Sequence, residues 1–362
     1  MSDGSLLQDY TEKLGHLRSL LREKKAFGIL ITTVVNFSWL TNGRSFVNLA
    51  DESSSGKLLV TEDKVHLIAP KNEVPRLLDE ELAGFDIVVE DYPWYRGYDE
   101  HLVEALTKSR PYIVDRDVEP ELSQLRMHLS PRERSLLKGL GRSAADILED
   151  CCQTVERGEK ECEIAGRISR AAWSAGMEPL VVNIAADGRS FKYRHPIPTE
   201  NRLDKYVVMS VCLRKWGLHV TLTRALHFGS VPAELRARHH AAAHIEAFAI
   251  SRTRANVAPR DIVRGMIERY RAEGFADEWR IHPIGGAIGY KPREYDATDT
   301  MEANLEQGQA FCWNPTISGT KSEDSLLVLE DRCEIVTASS RFPMIDIDEG
   351  GSTVSRPDIL ER

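Results

Sequence analysis

The chain has 362 residues, of which 42% are hydrophobic and 28% charged, and its formal net charge is −9. This length suggests two domains, and the composition is typical of a globular protein rather than a disordered one. Because the chain is acidic and has no block of consecutive lysines and arginines, nucleic acid is not an expected partner. A small-molecule substrate is the expected ligand.

The N-terminal segment, residues 1–25, lacks the apolar core of an export signal, and no run of eighteen apolar residues follows it. We therefore expect a cytoplasmic protein without a membrane partner. The six cysteines are scattered and form no CxxC pair, which favours small buried core residues over a disulfide framework.

The first region of the chain alternates apolar runs with charged helical stretches. Leucines at Leu14, Leu17 and Leu21 predict an amphipathic helix, and the apolar runs at 27–32 and 57–61 predict strands. Such alternation is typical of an α/β domain, to which we assign residues 1–125.

A second region begins at a helix-start pattern. Ser130 and Glu133 have the spacing of a capping box, with Pro131 at the first helical position. Two helices are predicted from there, and strands and helices follow in separate groups, which is typical of an α+β domain. We assign residues 126–362 to it.

Five segments of the chain resemble, in the same order, those of the family that includes creatinase, prolidase and aminopeptidase P. They are HPIPT from His195, VCLRKWGLHVTLTR from Val211, HPIGGAIGYKPRE from His282, FCWNP from Phe311 and KSEDSLLV from Lys321. The resemblance implies a creatinase-like N-terminal α/β domain followed by a C-terminal α+β domain of the pita-bread fold.

The family's metal positions are changed in this chain. The resemblance implies two metal ions held by two Asp, one His and two Glu, but Ser210 and Thr221 stand at the Asp positions, Gly286 at the His and Asn314 at the first Glu. Only Glu323 keeps its carboxylate. Hard divalent cations need several anionic oxygens, so we predict a degenerate site with no metal and no other cofactor.

Three side chains are the predicted catalytic residues: His195, His282 and Glu323. His195 matches the family's proton-shuttling histidine, and an imidazole is suited to exchange a proton near neutral pH. His282 matches a second histidine that faces the substrate. Glu323 is the surviving carboxylate.

A larger set of residues is predicted to bind the substrate. Arg293 matches the arginine with which creatinase grips a carboxylate, because a guanidinium offers two parallel hydrogen bonds. Arg44 stands where family dimers bring one subunit's N-terminal domain near the partner's active site, which predicts a homodimer. The others are Glu294, Asn314, Thr221, Thr223, Ser210 and Trp313.

Creatinase works without metal, and from that comparison we expect a metal-independent hydrolase of the creatinase type. It would cleave a C–N bond (amide, amidine or guanidino) in a small amino-acid derivative, although elimination or isomerisation, the reactions of a lyase or an isomerase, would use the same proton shuttle. Creatine itself is a doubtful substrate, because Thr223 and Asn314 replace acids of creatinase. Two alternatives stay open: a non-catalytic protein that binds a ligand or partner, and a metallopeptidase like the Xaa-Pro aminopeptidases and dipeptidases.

Overall fold

The structure, a computed structural model, describes residues 3–97, 100–338 and 341–362. The chain divides into two compact units, Met1–Arg126 and Met127–Arg362, each with its own sheets. Within these described ranges, no helix has the length and apolar character needed to cross a bilayer.

The N-terminal unit is built around a five-stranded sheet in order β4-β3-β2-β1-β5, in which β1–β2 and β2–β3 pair antiparallel and β3–β4 and β1–β5 pair parallel. Its helices are α1 (Asp3–Lys24), α2 (Val34–Thr41), α3 (Val74–Arg76), α4 (Glu100–Thr107) and α5 (Glu119–Met127), and its strands are β1 (Gly28–Thr33), β2 (Ser53–Thr61), β3 (Val65–Pro70), β4 (Val88–Tyr92) and β5 (Tyr112–Val114).

The buried residues of this unit follow the predicted periods. Leu14, Leu17 and Leu21 of α1 are buried on one helix face, three or four residues apart. The helix α2 begins where the Thr33 hydroxyl accepts the backbone N–H of Asn36, an N-cap that leaves fewer unpaired amides at the helix start. Alternating strands and helices thus give an α/β unit.

The C-terminal unit contains the larger share of the elements. Its helices are α6 (Pro131–Thr154), α7 (Glu161–Ser174), α8 (Arg189–Lys192), α9 (Ala233–Arg252) and α10 (Pro259–Ala272). Its strands are β6 (Glu178–Ala186), β7 (Tyr206–Lys215), β8 (Leu218–His227), β9 (Gly285–Ile288), β10 (Tyr295–Asp296), β11 (Ala310–Trp313), β12 (Thr316–Ile317), β13 (Thr320–Lys321), β14 (Asp324–Val328), β15 (Cys333–Ile335), β16 (Met344–Asp348), β17 (Thr353–Pro357) and β18 (Leu360–Glu361).

The helix α6 begins with the predicted capping box. The Ser130 hydroxyl accepts the backbone N–H of Glu133 at 3.2 Å, and the Glu133 carboxylate accepts that of Ser130 at 2.7 Å. These reciprocal bonds satisfy two amides that the helix cannot pair internally.

Two sheets form the frame of the C-terminal unit, one in order β18-β8-β7-β6 and the other in order β10-β9-β11-β14-β15. In the β7–β8 hairpin, Ser210 lies opposite Thr223. The hairpin turns at Trp216 and Gly217, which have φ angles of 54° and 80°, as a tight turn that matches the strand twist requires. The backbone N–H of Thr223 donates to the carbonyl oxygen of Glu323 at 3.1 Å, so the two sheets meet there.

The largest core cluster of this unit lies under α9, α10 and the second sheet. Phe311, Trp313 and Tyr270 are fully buried in it, and the indole N–H of Trp313 donates to the Thr253 hydroxyl at 2.8 Å. An α/β unit is therefore followed by an α+β unit, which confirms the predicted fold class.

Candidate functional site

A cavity of about 340 Å³ opens in the C-terminal unit, with walls from both of its main sheets. This volume is within the range of small-ligand sites. Its polar wall is formed by Asn183, His195, Ser210, Thr221, His282, Arg293, Asp296, Asn314, Lys321 and Glu323.

Glu323 lies at the centre of the polar wall, 5% exposed, and forms an ion pair with Lys321 at 2.8 Å. The Thr223 hydroxyl donates to the same carboxylate at 2.6 Å. Burial opposes ionisation, but Lys321 and Thr223 outweigh it, so the pKa of Glu323 lies below its usual value. Glu323 is therefore an ionised carboxylate with its own counter-cation.

Hydroxyl groups connect the hairpin to this carboxylate. Ser210 and Thr223, opposite each other in the hairpin, have their oxygens 2.6 Å apart. Because Thr223 donates its proton to Glu323, Ser210 donates to Thr223. Thr221 instead contacts the Cys312 sulfur at 3.0 Å, and burial raises the pKa of that thiol, which keeps it protonated.

The two predicted catalytic histidines are in contact, with their Nε2 atoms 3.3 Å apart. The Thr316 hydroxyl donates to the Asn314 carbonyl oxygen at 3.2 Å, so it accepts from His282 Nδ1, 3.4 Å away. His282 Nε2 is then an acceptor, and His195 donates to it. This assignment leaves the other ring nitrogen of His195, Nδ1, with a free lone pair.

Both imidazoles are neutral at pH 7. Burial, reinforced by the nearby Lys321 ammonium, lowers the pKa of His282 to about 3. The same two causes lower the pKa of the more exposed His195. A neutral pair can accept a proton from a ligand but does not carry the positive charge of the site.

Two polar atoms of the cavity wall, both buried, have no hydrogen-bond partner within the described part of the chain: Arg293 Nη1 and Asn314 Oδ1. Arg293 Nε faces Asp296 at 3.4 Å, and Asn314 is 4% exposed. A buried polar atom without a partner costs about 1–3 kcal/mol. One donor and one acceptor in the same cavity therefore indicate a site that a ligand completes.

The space beside Gly286 bears on whether metal ions fit here. A Cβ atom at this position would lie 2.1 Å from the Tyr295 carbonyl oxygen and 2.8 Å from Arg293 Nη1. The position that the resemblance assigns to a histidine ligand therefore has no room for a side chain, and the Arg293 guanidinium fills the space.

The remaining donors do not fit a pair of divalent cations. In residues 3–97, 100–338 and 341–362, no three His, Cys, Asp or Glu side chains are grouped so that they could hold a metal ion. The carboxylate of Glu323 is already paired with Lys321, and its neighbours Ser210, Thr221 and Asn314 are uncharged.

The structure brings most of the predicted site residues to this cavity, but not all. Glu294 is not in the cavity wall. The indole of Trp313 is turned away into the core, because Cys312 and Asn314 take the other face of the strand. Arg44 belongs to the N-terminal unit, where it pairs with Glu81 at 3.0 Å. Thr223 lies just behind the wall, bonded to Glu323.

Sequence reasoning missed Lys321, Asn183 and Asp296 as site residues. In an extended segment, residues two apart lie on the same side, so the sequence already indicated that Lys321 lies beside Glu323. Asn183 lies opposite Ser210 in the β6–β7 pairing. Asp296 lies at the cavity because β10 pairs with β9, where Asp296 is opposite Gly286. No local pattern in the sequence predicts this pairing.

Comparison with known proteins identifies both units. The model of Metallopeptidase family M24 matches residues 135–336, and that of the Creatinase/Prolidase N-terminal domain matches residues 13–128. An uncharacterized peptidase of Staphylococcus epidermidis is 22% identical over 349 residues, covering 90% of this chain and 98% of the relative. An Xaa-Pro dipeptidase of Pyrococcus horikoshii is 19% identical over 320 residues, covering 82% and 90%.

Solved structures share the fold. The prolidase of Pyrococcus horikoshii superposes with a TM-score of 0.75 at 17% identity, covering 91% of this chain and 99% of its own. The dipeptidase PepE of Mycobacterium ulcerans also gives 0.75 at 17% identity, with 99% of each chain covered. The predicted creatinase-like and pita-bread architecture is thereby confirmed.

The same comparisons contradict the expected metal-independent hydrolase of the creatinase type. The matched family is one of metallopeptidases, and the relatives that carry an activity in their names are Xaa-Pro dipeptidases. The coarser expectation, a hydrolase of C–N bonds, agrees with this family. The chain belongs to Metallopeptidase family M24 and begins with a Creatinase/Prolidase N-terminal domain.

Proposed function

We propose that the chain is a hydrolase of the Xaa-Pro dipeptidase type, whose cavity binds a short peptide and presents its C–N bond for cleavage. One observation carries this proposal: Arg293 and Asn314 line the same cavity as the two histidines, and each has one buried polar atom without a partner among the described residues. A dipeptide with a free carboxylate at one end and a free amino group at the other would offer an acceptor to Arg293 and a donor to Asn314.

The side chains support binding and orientation of such a peptide. Arg293 is suited to hold the terminal carboxylate, and Asn314 Oδ1 to accept an N–H group. His195, with its free Nδ1 lone pair, is suited to accept a proton and is held in place by His282. The donors around Glu323 do not fit two divalent cations, so no step of the reaction is assigned to a metal.

A second function is favoured by the Lys321–Glu323 pair. Glu323 is the only carboxylate at a position that matches a metal ligand of the family, and the Lys321 ammonium is paired with it. Such pairing is expected of a non-catalytic protein that binds peptides without cleaving them. The two functions differ in turnover and share the binding site.

The experiment is a peptidase assay with Ala-Pro, Gly-Pro and Leu-Pro, run with Mn²⁺, Co²⁺ or Zn²⁺ and in EDTA, with released proline measured. We expect release, and a loss of about 100-fold or more in His195→Gln, typical of a removed proton-transfer group. His128→Gln, an exposed histidine outside the cavity, is the matched control.

Calorimetric titration of the same peptides separates the two functions. Binding without proline release under any condition would favour the non-catalytic protein. Neither binding nor release would contradict both functions.

The homodimer and the cytoplasmic location belong to the same proposal. Light scattering should give about twice the chain mass of 40.8 kDa, and a clean monomer would contradict a dimer. Fractionation of the cells that produce the protein would test its location.

A further inference from the structure

The first observation is the position of Lys321 in the cavity. Its side chain is 12% exposed, lines the cavity and lies 2.8 Å from Glu323 Oε2. An ammonium has three N–H donors, and this ion pair uses one of them. Its charge reaches across the site, since it contributes to the lowered pKa values of both His195 and His282.

The second observation is the position of Arg293. Its guanidinium fills the space beside Gly286, where a side chain would collide with Nη1 and with the Tyr295 carbonyl oxygen. Its Nη1 atom is buried and has no partner among the residues described. Asp296, the carboxylate that faces Arg293 Nε, is 54% exposed, so water screens much of its charge.

We propose that Lys321 and Arg293 together supply the positive charge that metallopeptidases of this fold take from metal ions, and that they bind a carboxylate of the ligand directly. The inference deepens the proposed function and rests on it only for the choice of a peptide as ligand. Both cations belong to the chain, so the site is complete without a metal.

Metal binding would disrupt contacts that are already made. Lys321 contacts Glu323 Oε2, so a divalent cation that reached Glu323 would either displace the ammonium from the carboxylate or bind beside it as a second positive charge. Two positive charges a few ångströms apart repel strongly where water is scarce, and a buried ammonium without its partner is costly. A carboxylate avoids both costs and gives Arg293 Nη1 the partner that it lacks.

The first experiment measures metal retention. The full chain is equilibrated with Mn²⁺ or with Zn²⁺, passed through a desalting column and analysed by mass spectrometry for the metal. We expect no more metal than in the protein-free blank. One or two equivalents retained by the wild-type chain would overturn the proposal, and this result needs no variant to fold.

The second experiment compares Ala-Pro with Ala-Pro amide by calorimetric titration in EDTA. We expect the acid to bind about tenfold tighter or more, as charge-assisted hydrogen bonds to a carboxylate require. Lys321→Met and Arg293→Met should each weaken binding of the acid by about tenfold and leave that of the amide within about twofold. Lys205→Met, an exposed lysine outside the cavity, should change neither.

The ratio of acid to amide affinity distinguishes this role from a merely structural one, which would weaken both ligands alike. Equal affinities of the wild-type chain for acid and amide would overturn the proposal. If neither peptide binds, the proposed function is contradicted, but the cation pair can still be tested with acetate, a carboxylate that is not a peptide. Acetate should raise the Tm of the wild type but not that of Arg293→Met, and no rise in the wild type would overturn the cation pair.

Discussion

Glu323 and Asp324 are neighbours in the chain, yet their carboxylates belong to different regions of the C-terminal unit. Asp324 faces the interior, where Arg224 donates to it at 3.1 Å and Arg356 and Thr337 also bind it. Arg356 bridges onward to Glu246 at 2.7 Å. Glu323 faces the cavity, and among the described residues its ion-pair partner is Lys321.

The two regions differ in how completely their arginine side chains are paired. Every N–H nitrogen of Arg224 has an acceptor, which includes Glu149 at 3.0 Å and the carbonyl oxygen of Thr337 at 3.0 Å. The cavity instead keeps one donor and one acceptor without partners among the described residues. In the interior network Glu149 Oε2 also has no partner within the described residues, so the difference lies in the cations. Arg224 is fully paired, whereas Arg293 keeps a donor that is suited to a ligand.

The largest effect is expected from breaking the interior network. Arg356→Met leaves Glu246 and Asp324 without a buried cation that both of them bind, and should lower the free energy of unfolding by about 3–5 kcal/mol. Urea denaturation measures it. Arg332→Met, at an arginine that is 70% exposed, is the control. An equally small loss of stability in the two variants would contradict the stabilising role of the interior network.

Acidification is expected to act through two histidines that are buried in their neutral form. Burial lowers the pKa of His219, in the hairpin, and of His282, in the cavity, to about 3. In the unfolded chain these histidines take up a proton below their ordinary pKa of 6.5, whereas in the folded chain they stay neutral until about pH 3. Their contribution to the free energy of unfolding is therefore complete above pH 6.5 and is lost as the pH falls from 6.5 towards 3.

Each of these histidines should cost about 2 kcal/mol between pH 7 and pH 5. Urea denaturation at both pH values measures the loss. It should be smaller by that amount in His219→Gln and in His282→Gln. An unchanged pH dependence in either variant would show that the histidine is not buried in its neutral form.

A smaller effect on stability is expected for Lys321→Met. Glu323 loses its cation, but it lines a cavity that water can enter and keeps the Thr223 hydroxyl, so the loss should be about 1–2 kcal/mol. Urea denaturation beside Arg356→Met makes the comparison directly. Equal losses would mean that the cavity carboxylate is as dependent on its partner as the interior one.

The smallest effect on stability is expected for Asn314→Leu. This substitution removes an acceptor that has no partner within the described residues, so the free energy of unfolding should change by less than about 1 kcal/mol. Affinity for Ala-Pro should nevertheless fall by about tenfold. Calorimetry and urea denaturation of the same preparation test both, and unchanged affinity would remove Asn314 from the binding site.

Much of the fold could be predicted from the sequence because apolar periods are local. The leucines of α1 and the capping box of α6 each depend on residues a few positions apart, and both are present in the structure. These features need no knowledge of distant contacts.

The site was predicted less completely, for physical reasons. Trp313 was wrongly placed at the cavity because neighbouring residues of a strand face opposite ways, and Asn314 takes the cavity side. The Arg293 guanidinium beside Gly286 depends on how residues 289–294 turn between β9 and β10, which local patterns do not specify. The expected creatinase-type activity was wrong: it rested on the changed metal positions and on the matches of His195 and Arg293, whereas the matched family is one of metallopeptidases.

The close approach at Gly286 also constrains how this protein can change over evolutionary time. A histidine at position 286 would first require Arg293 to withdraw and the strand carrying Tyr295 to shift, since each blocks a new side chain. Intermediates that carry only one of these changes are strained or lack a cation. Substitutions elsewhere in the cavity wall are therefore more accessible to this chain than a histidine at position 286.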